Sequence, residues 1–544
     1  MSKRTKILLC VIILIAAVLR LYRLADVPPG VNRDEASIGV TASSLMQTGR
    51  DEYGRFLPLS FESFGDWKLP LYIYTTIPFV KIFGLSELAV RLPSALAGIA
   101  SVAALYYLAQ MLFASESIGL LAAFSLALMP WHIHISRVES EAIVAVFFTI
   151  AGSVCFLRAL KQKSLRSLIY AAVLFALTYY TYHGNHVFTT LLLVGLTALY
   201  WHDLIKIPKW WIALGTGALM TLVILSITLT ADHTKIGGIS IFGDPTVVHT
   251  QIELPRLAHT NPDSLPARLM HNRLTYAVTA VTQNYLKSYG PDFLFIRGGG
   301  NKAHNIQGYG NLHPIDVVFL ILGAAMLISA FKKTSAKFIL WWVAIGGVAA
   351  AITKDAPHSN RMLAVVPSLA ITIATGAKML YERVPVRIKT ILIAVFVLAY
   401  AGAMTTYLDM YFTHFPRNEA ANWGYAYKKL TPVLFSPEYA SKHVVMTFPQ
   451  TSPYIFLLFY SGYSPAQYQK EAVRYPVSAD GFTDVSGFGR FSFRGIDWNK
   501  DPGLPGTLLV ARQDEVPSDI APKIISEITL PDAAVQFVVI DTDK

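Results

Sequence analysis

The stretch "ILLCVIILIAAVLRLY" (7–22) is followed closely by "PPGVNRDEASIGVTASSLMQTGRDEYGRFLP" (28–58). The first stretch is apolar along nearly its whole length, as a helix that crosses a bilayer must be over roughly 17–25 residues. The second carries two acid pairs, Asp34–Glu35 and Asp51–Glu52. Acids placed just beyond a membrane helix predict a protein whose chemistry takes place at the membrane surface.

The composition extends this pattern to the whole chain. Of 544 residues, 53% are hydrophobic and 15% are charged, and the mean hydropathy is +0.44; soluble domains carry about 25% charged residues. The net charge of +11 is typical of some nucleic-acid binding proteins. Here, however, the basic residues are spread over short links between apolar runs, which favours membrane orientation and predicts no nucleic-acid partner. Cys10 and Cys155 give neither a disulfide framework nor a metal-binding spacing.

Eleven apolar runs predict a polytopic α-helical membrane protein. The first run has no small-residue cleavage site after it, so we interpret it as a retained helix and not as a signal peptide. The segment 70–84, "PLYIYTTIPFVKIFG", is apolar but short, and we predict an interfacial or re-entrant piece. The predicted membrane helices cover 6–22, 87–113, 117–134, 139–159, 167–183, 186–202, 210–230, 314–331, 337–353, 360–380 and 389–408.

Basic residues predict the orientation of the chain in a cell membrane. Alternate links read "KQKSLR" (161–166), "FKKTSAK" (331–337) and "YERVPVRIK" (381–389), and the N-terminus reads "MSKRTK". Since basic links face the cytoplasm, the N-terminus is predicted to be cytoplasmic. The outer loops 23–86 and 231–313 of a membrane domain 1–408, and the tail 409–544, then lie outside the cytoplasm.

The tail is predicted to form a small extracytoplasmic α/β domain. Its segments "HVVMTF" (443–448), "TLLVAR" (507–512) and "VQFVVIDT" (535–542) are typical of strands, and "RNEAANWGYAYKKL" (417–430) has helical spacing. Within the second outer loop, residues 269–290 predict an amphipathic helix and "RGGGNKAHNIQGYGN" (297–311) a flexible loop.

The charged residues lie at the ends of the predicted helices, and the helix cores carry no Asp, Glu, Lys or Arg. Ion-coupled transporters usually keep ionisable groups near the middle of the membrane, so this distribution favours a site at the outer surface. The residues concerned are Arg33, Asp34, Glu35, Asp66, Lys68, Arg91, Arg137, Glu139, Glu141 and Arg361.

Five motifs in order resemble the lipid-dependent glycosyltransferases with the GT-C fold. The nearest families are the bacterial relatives of protein O-mannosyltransferases and the aminoarabinose transferase of lipid A. The resemblance covers roughly residues 1–410, and the tail resembles nothing specific. The motifs are "VNRDEASIGVTASSLMQTGRDEYG" (31–54), "WKLPLYIY" (67–74), "ELAVRLPSALAG" (87–98), "ISRVESEA" (135–142) and "HSNRMLAVVPSLA" (358–370).

The resemblance implies a membrane glycosyltransferase that moves a hexose or pentose from a polyprenyl-phosphate donor to an acceptor hydroxyl with inversion. Asp34 would be the general base, and Lys68 and Arg361 would bind the donor phosphate. Glu35 would orient the site by pairing with Arg137. The acceptor would be a protein, a lipid or a glycan.

The remaining implied roles concern supporting residues and metals. No metal ligands are assigned, although a carboxylate pair could hold a divalent metal. The chain departs from the aminoarabinose transferases, in which an acid directly precedes the motif lysine: Trp67 stands there, Asp66 is one residue earlier, and Leu69 replaces a proline. Supporting roles are implied for Arg91, Arg137, Glu139 and His358, and a place in the sugar pocket is predicted for Tyr182 and His183.

Structural roles remain open for the same residues. Asp34 and Glu35 could cap the following helix, and Lys68 could be an interfacial lysine whose stem lies along apolar surface. Arg91 and Arg137 could form ordinary ion pairs at helix ends. Asp51–Glu52, between two glycines, is predicted to belong to a turn.

Other classes of function also remain open. One is a flippase or carrier for lipid-linked sugars, and another is a non-catalytic scaffold that displays the tail.

Overall fold

A computed structural model describes residues 1–231, 240–244, 246–447, 452–478, 482–520 and 523–544. Residues 232–239 and 245 of the predicted outer loop 231–313, and residue 448 of the predicted strand 443–448, lie outside the described residues. Contacts divide the chain into two compact units. The first unit comprises Met1–Tyr22, Ser94–Ser136 and Ser140–Tyr407, and the second comprises Arg23–Pro93, Arg137–Glu139 and Leu408–Lys544.

Helices occupy most of the described chain before residue 435, and each of the eleven predicted membrane segments is helical over most of its length. Short 3₁₀ and π segments, such as Leu363–Val365 and Asp292–Ile296, interrupt or extend them. The α-helices among the described residues are α1 (Lys3–Leu21), α2 (Arg33–Thr48), α3 (Pro70–Phe83), α4 (Glu87–Phe113), α5 (Glu116–Leu128), α6 (Pro130–Ser136), α7 (Glu141–Gln162), α8 (Leu165–Tyr179), α9 (Gly184–Leu204), α10 (Trp210–Ala231), α11 (Leu254–Leu257), α12 (Leu265–Met270), α13 (Arg273–Ser288), α14 (Asp316–Ser329), α15 (Thr334–Gly346), α16 (Val348–Ala351), α17 (Val366–Arg383), α18 (Val386–Asp409), α19 (Phe415–Asn418), α20 (Tyr425–Leu434), α21 (Pro453–Ser461) and α22 (Pro465–Glu471).

Within the described residues, seven helical segments are long and apolar enough to cross a membrane. An eighth span results if α5 and α6, which meet at a 60° bend, count as one. The apolar helices α8 and α14 are shorter. The protein is therefore a polytopic, mostly helical membrane protein, and the number of eleven spans stays a prediction.

Close packing between helices of the first unit depends on small residues. A Cβ atom at Gly323 of α14 would lie 1.9 Å from the carbonyl oxygen of Thr372 in α17, and one at Gly376 would lie 2.0 Å from that of Phe319. Glycines at these positions let two membrane helices approach backbone to backbone, where dispersion contacts hold helices together in lipid.

Arg20 at the end of α1 stabilises the break between α5 and α6. Its guanidinium donates to the carbonyl oxygens of Leu126 and Ala127, at 3.2 and 3.1 Å, and lies 2.7 Å from Nδ1 of His132. Carbonyl groups near a helix end lack partners in the next turn. The buried arginine supplies those partners, which explains a fully buried charge near a membrane helix end.

The second unit contains two sheets. Strands β1 (Phe61–Ser63) and β2 (Asp66–Lys68) form an antiparallel hairpin. The tail forms a seven-stranded mixed sheet with the order β4-β5-β6-β3-β7-β9-β8, in which β3 runs parallel to β6 and β7 and the other pairs are antiparallel. Its strands are β3 (His443–Met446), β4 (Val473–Arg474), β5 (Val485–Phe488), β6 (Phe491–Phe493), β7 (Thr507–Ala511), β8 (Ile524–Thr529) and β9 (Val535–Asp541).

The central strands of this sheet explain its stability. Val445, Leu509 and Ile540 are fully buried in one hydrophobic cluster, and buried apolar side chains provide the main favourable term in folding. The three strands predicted in the tail are present as β3, β7 and β9, and the helix predicted at 417–430 corresponds in part to α20.

Candidate active site

The first turn of α2 carries the predicted catalytic pair. Asn32 is the N-cap: its side-chain oxygen accepts the N–H of Glu35 at 2.9 Å, while the carboxylate of Glu35 accepts the N–H of Asn32 at 3.4 Å. This reciprocal capping box satisfies the open N–H groups of the helix start. Capping is thus supplied by Asn32 and Glu35, and Asp34 makes no such contact in the box.

Glu35 is locked in place by Arg91 of α4. The Nε and NH2 groups of Arg91 donate to the two carboxylate oxygens of Glu35, each at 2.9 Å, and both side chains are fully buried. The remaining donors of Arg91 bind the carbonyl oxygens of Leu24, Pro28 and Gly30. A buried bidentate pair with every donor used fixes the geometry of the segment before α2.

Asp34 and Lys68 form an ion pair. The Nζ atom of Lys68 lies 2.7 Å from Oδ1 of Asp34. The Lys68 side chain is 7% exposed, whereas the Asp34 side chain is 55% exposed. Asp34, the predicted base, therefore faces solvent. Lys68, the predicted phosphate-binding cation, is buried and contacts Asp34 from inside the protein.

The β1–β2 hairpin holds Lys68 in this position. Lys68 ends β2 and pairs with Phe61, and the turn residues Phe64 and Gly65 both have positive φ angles, of 59° and 81°. Positive φ at both central residues is the mark of the tight turn that suits hairpin twist. The hydroxyls of Ser63 and Ser37 lie 2.6 Å apart and join the hairpin to α2.

The predicted pairing of Glu35 with Arg137 is wrong, because Arg91 occupies both oxygens of that carboxylate. Arg137 is fully buried; it donates to the carbonyl oxygens of Arg23 and Val27 and lies over the ring of Tyr411, 5.1 Å from its centroid. The backbone N–H of Glu139 donates to Glu35 at 2.9 Å. The segment 137–139 therefore supports the same carboxylate, through its backbone.

In the first unit, two of the predicted residues, Arg361 and His358, lie together. Arg361 donates to the hydroxyl of Thr353 at 2.8 Å and to Asp355 at 3.2 Å, and its N–H donates to Nδ1 of His358 at 3.4 Å. Burial, with the nearby charges of His304 and Arg361, holds the pKa of His358 well below its usual value, so this imidazole is neutral at pH 7.

Tyr182 lies within electrostatic range of Arg361. The charge of Arg361 acts on the phenol of Tyr182. The two residues were predicted separately, one for the sugar and one for the phosphate, and the first unit brings them near each other. The ring of His183 contacts that of His186, with centroids 5.3 Å apart.

The second acid pair differs from the first. Asp51 accepts the N–H groups of Tyr53 and Arg55 through one oxygen, at 3.0 and 2.8 Å, which is the geometry of a turn. Glu52, in contrast, is 2% exposed, and burial raises its pKa to about 7. Nothing in the sequence around Glu52 indicated this burial, because its cover comes from the tail.

Among the described residues, no group of three His, Cys, Asp or Glu side chains could hold a metal ion.

Comparison with known proteins agrees with the motifs. Residues 10–240 match the family model of dolichyl-phosphate-mannose-protein mannosyltransferases. A 127-residue region is 34% identical to YycA of Bacillus subtilis, a candidate mannosyltransferase; it covers 23% of this chain and only 18% of that relative. The matched family region contains Asp34, Lys68 and Arg91.

Two solved structures share the fold. ArnT from Cupriavidus metallidurans, solved with undecaprenyl phosphate, superposes with a TM-score of 0.55 and 12% identity over 99% of this chain and 98% of ArnT. An oligosaccharyltransferase from Archaeoglobus fulgidus, solved with a tethered acceptor peptide, gives a TM-score of 0.52 and 12% identity over 85% of this chain and 63% of that one.

The protein thus has the fold of the GT-C membrane glycosyltransferases. Residues 10–240 are similar to the dolichyl-phosphate-mannose-protein mannosyltransferases. The resemblance inferred from the sequence motifs is confirmed.

Proposed function

We propose that the protein is an integral membrane glycosyltransferase that moves a sugar from a polyprenyl-phosphate donor to a hydroxyl acceptor outside the cytoplasm, with inversion. The observation that carries the proposal is the 2.7 Å contact between Lys68 and Asp34. The contact joins a cation suited to the leaving phosphate and a carboxylate suited to the attacking hydroxyl, from two motif residues that are 34 positions apart.

The ion pair suggests how binding of the donor prepares the base. A phosphate oxygen of the donor competes with Asp34 for the ammonium group of Lys68. Asp34, already half exposed, then accepts the proton of the acceptor hydroxyl as its oxygen attacks the anomeric carbon. The bond from that carbon to the phosphate oxygen breaks, and Lys68 stabilises the charge that develops there.

Other residues are given positioning roles. Arg91, Glu35 and the backbone of Glu139 hold the start of α2, and Arg137 fixes the chain before it by binding carbonyl oxygens. In the first unit, we propose that Arg361, beside the neutral His358, binds a phosphate oxygen. Tyr182 and His183 would contact the sugar.

The same proposal includes the donor, the acceptor and the orientation of the chain in the membrane. ArnT of Cupriavidus was solved with undecaprenyl phosphate, and the Archaeoglobus enzyme was solved with an acceptor peptide. We therefore propose that the donor lipid is a polyprenyl phosphate like the one bound to ArnT. The acceptor would be a protein, lipid or glycan hydroxyl. The membrane domain 1–408 would have a cytoplasmic N-terminus, and residues 409–544 would form the extracytoplasmic domain.

The test is sugar transfer by the purified full chain in detergent. Radiolabelled polyprenyl-phosphate mannose is the donor, and envelope extract from cells that lack the protein supplies acceptors. An enzyme works in detergent, whereas a flippase requires a sealed membrane. Lys68→Ala should lower transfer by about 10²–10³-fold, the usual effect of removing one charge-stabilising donor, and Lys68→Arg should restore part of it.

Lys428→Ala is the matched control, because Lys428 forms an ion pair of similar length, 2.8 Å, with Glu87. It should leave transfer unchanged. Full transfer by Lys68→Ala would return Lys68 to a structural role and remove the support for this function.

A further inference from the structure

Two buried side chains of the second unit, Glu52 and Tyr468, each have one polar atom without a hydrogen-bond partner in the described part of the chain, and both line one cavity. The other carboxylate oxygen of Glu52 accepts the Tyr454 hydroxyl at 3.5 Å. Oε1 of Glu52 and the hydroxyl of Tyr468 find no partner among the described residues. Each side chain is only 2% exposed, and both line the same cavity of about 260 Å³. Leaving a buried polar atom unpaired is costly, so two such atoms in side chains that line one cavity point to a ligand that pairs with them.

The walls of this cavity, which we call the Glu52 cavity, combine apolar surface with a few polar groups. One face of α2 contributes Val40, Ser43 and Gln47, and Val80, Leu85 and Leu458 add apolar contacts. Its volume exceeds the roughly 30 Å³ of a water molecule several times and approaches the about 300 Å³ of small-molecule sites. A compact ring with polar edges and an apolar face matches these walls.

The charges around the Glu52 cavity favour a neutral ligand. Burial raises the pKa of Glu52 to about 7; the positive charges of Arg474 and Lys68 oppose that rise, and the negative charges of Asp51 and Glu62 add to it. Two cations and two further carboxyl groups thus act on the Glu52 carboxyl, so a net charge of either sign on the ligand meets a like charge nearby. Hydroxyl groups can donate to the carboxylate, and they can accept from its protonated form or from Tyr468.

The cavity lies near the reacting pair without coinciding with it, because Glu52 is within electrostatic range of Lys68. Ser43 lies nine positions after Asp34, which is about 13 Å along a helix that rises 1.5 Å per residue. A sugar ring packed against Ser43 is therefore displaced along α2 from the ring whose anomeric carbon reacts beside Asp34.

We propose that the Glu52 cavity binds a neutral sugar unit of the acceptor, with ring hydroxyls on Glu52 and Tyr468 and the C–H face on the apolar wall. This inference rests on the proposed function, which it extends by assigning a sugar-bearing acceptor. The cavity would hold a part of the acceptor other than the hydroxyl that is glycosylated.

The test measures binding of methyl hexopyranosides to the full chain in lipid nanodiscs by saturation-transfer NMR. Methyl glycosides of mannose, glucose and galactose are the probes, and the cationic methyl glucosaminide is compared with them. At least one neutral glycoside should bind. Glu52→Gln should weaken it about tenfold or more, since a hydrogen bond to a charged group is lost, and Tyr468→Phe should weaken it severalfold.

Glu527→Gln makes the same chemical change on an exposed position of β8 and should leave binding intact. Thermal midpoints of all variants show whether each one is folded. The proposal fails if no neutral glycoside binds, if Glu52→Gln and Tyr468→Phe both bind like the parent, or if the glucosaminide binds more tightly. Because the measurement uses no donor, it can fail while Lys68-dependent transfer persists, and it can succeed where transfer is absent.

Discussion

At the scale of the residue, adjacent acids in the same sequence have separate tasks. Glu35 is fully buried on Arg91 and closes the capping box, whereas Asp34 is half exposed and contacts Lys68. Asp51 holds a turn, whereas Glu52 is buried beside a cavity. Burial and partner, more than residue type, decide what each carboxyl can do.

Glu52 should make the stability of the protein depend on pH. Its pKa is raised from 4.5 to about 7 by burial, so between these values the unfolded chain binds fewer protons than the folded one. The free energy of unfolding should then fall as pH rises from about 4.5 to about 7, by on the order of 3 kcal/mol, and level off above. Denaturant midpoints of the full chain in micelles measure this.

The Glu52→Gln variant should lose this part of the pH dependence, and Glu527→Gln should keep it. If the free energy of unfolding changes equally with pH in the parent, Glu52→Gln and Glu527→Gln, then Glu52 ionises as easily in the folded state as in the unfolded one.

At the scale of the element, the β1–β2 hairpin decides where Lys68 lies. Gly65 has a φ of 81°, and so does Gly54 in the preceding turn. Gly65→Ala and Gly54→Ala should both strain the backbone, at a cost of about 1 kcal/mol each, and lower the thermal midpoint by similar amounts. Only Gly65→Ala should also weaken transfer severalfold, because it displaces β2 and its terminal lysine.

Transfer rates measured beside thermal midpoints separate the two effects. If Gly54→Ala lowers transfer as much as Gly65→Ala does, the hairpin has no particular role in placing Lys68.

The sequence predicted the helices and strands better than it predicted the contacts between side chains. Runs of apolar residues placed the helices well, because the bilayer requires long uninterrupted stretches. The three-residue strands of the hairpin are too short to show a period of two, and only Gly65 before Asp66 signalled the turn. The partner of Glu35 could not be read from spacing, since Arg91 and Arg137 both stand at helix ends and pairing is decided by tertiary structure.

The residues of the candidate site were predicted from motifs that resemble a family. The contacts between those residues were not predicted. That Asp34 and Lys68 touch follows from a hairpin the sequence did not reveal. The cavity beside Glu52 combines α2 with residues of the tail, which resembled nothing known, so no local pattern could indicate it.

At the scale of the whole molecule, orientation in the membrane is the main expectation to test. The basic links predict that Thr334 lies on the cytoplasmic side and Ser441 outside. In a chain whose Cys10 and Cys155 are replaced, Ser441→Cys should react with a membrane-impermeant maleimide in intact cells. Thr334→Cys should react only after the membrane is opened. Labelling of Thr334→Cys but not of Ser441→Cys in intact cells would show that the chain has the opposite orientation in the membrane.

The most direct test of the central claim is single-turnover transfer by Asp34→Asn, beside binding of undecaprenyl phosphate to the same preparation. Asn32 and Glu35 supply the cap, so the variant should fold normally. Transfer from polyprenyl-phosphate mannose should fall by about 10²–10⁴-fold, the usual contribution of a general base. Undecaprenyl phosphate should bind at least as tightly as it does to the parent, because the carboxylate no longer competes for Lys68. Asp51→Asn, the matched change in the second acid pair, should keep most of its turnover. Parent-like transfer by Asp34→Asn, or loss of lipid phosphate binding in that variant, would contradict the assignment of Asp34 and Lys68 as the reacting pair.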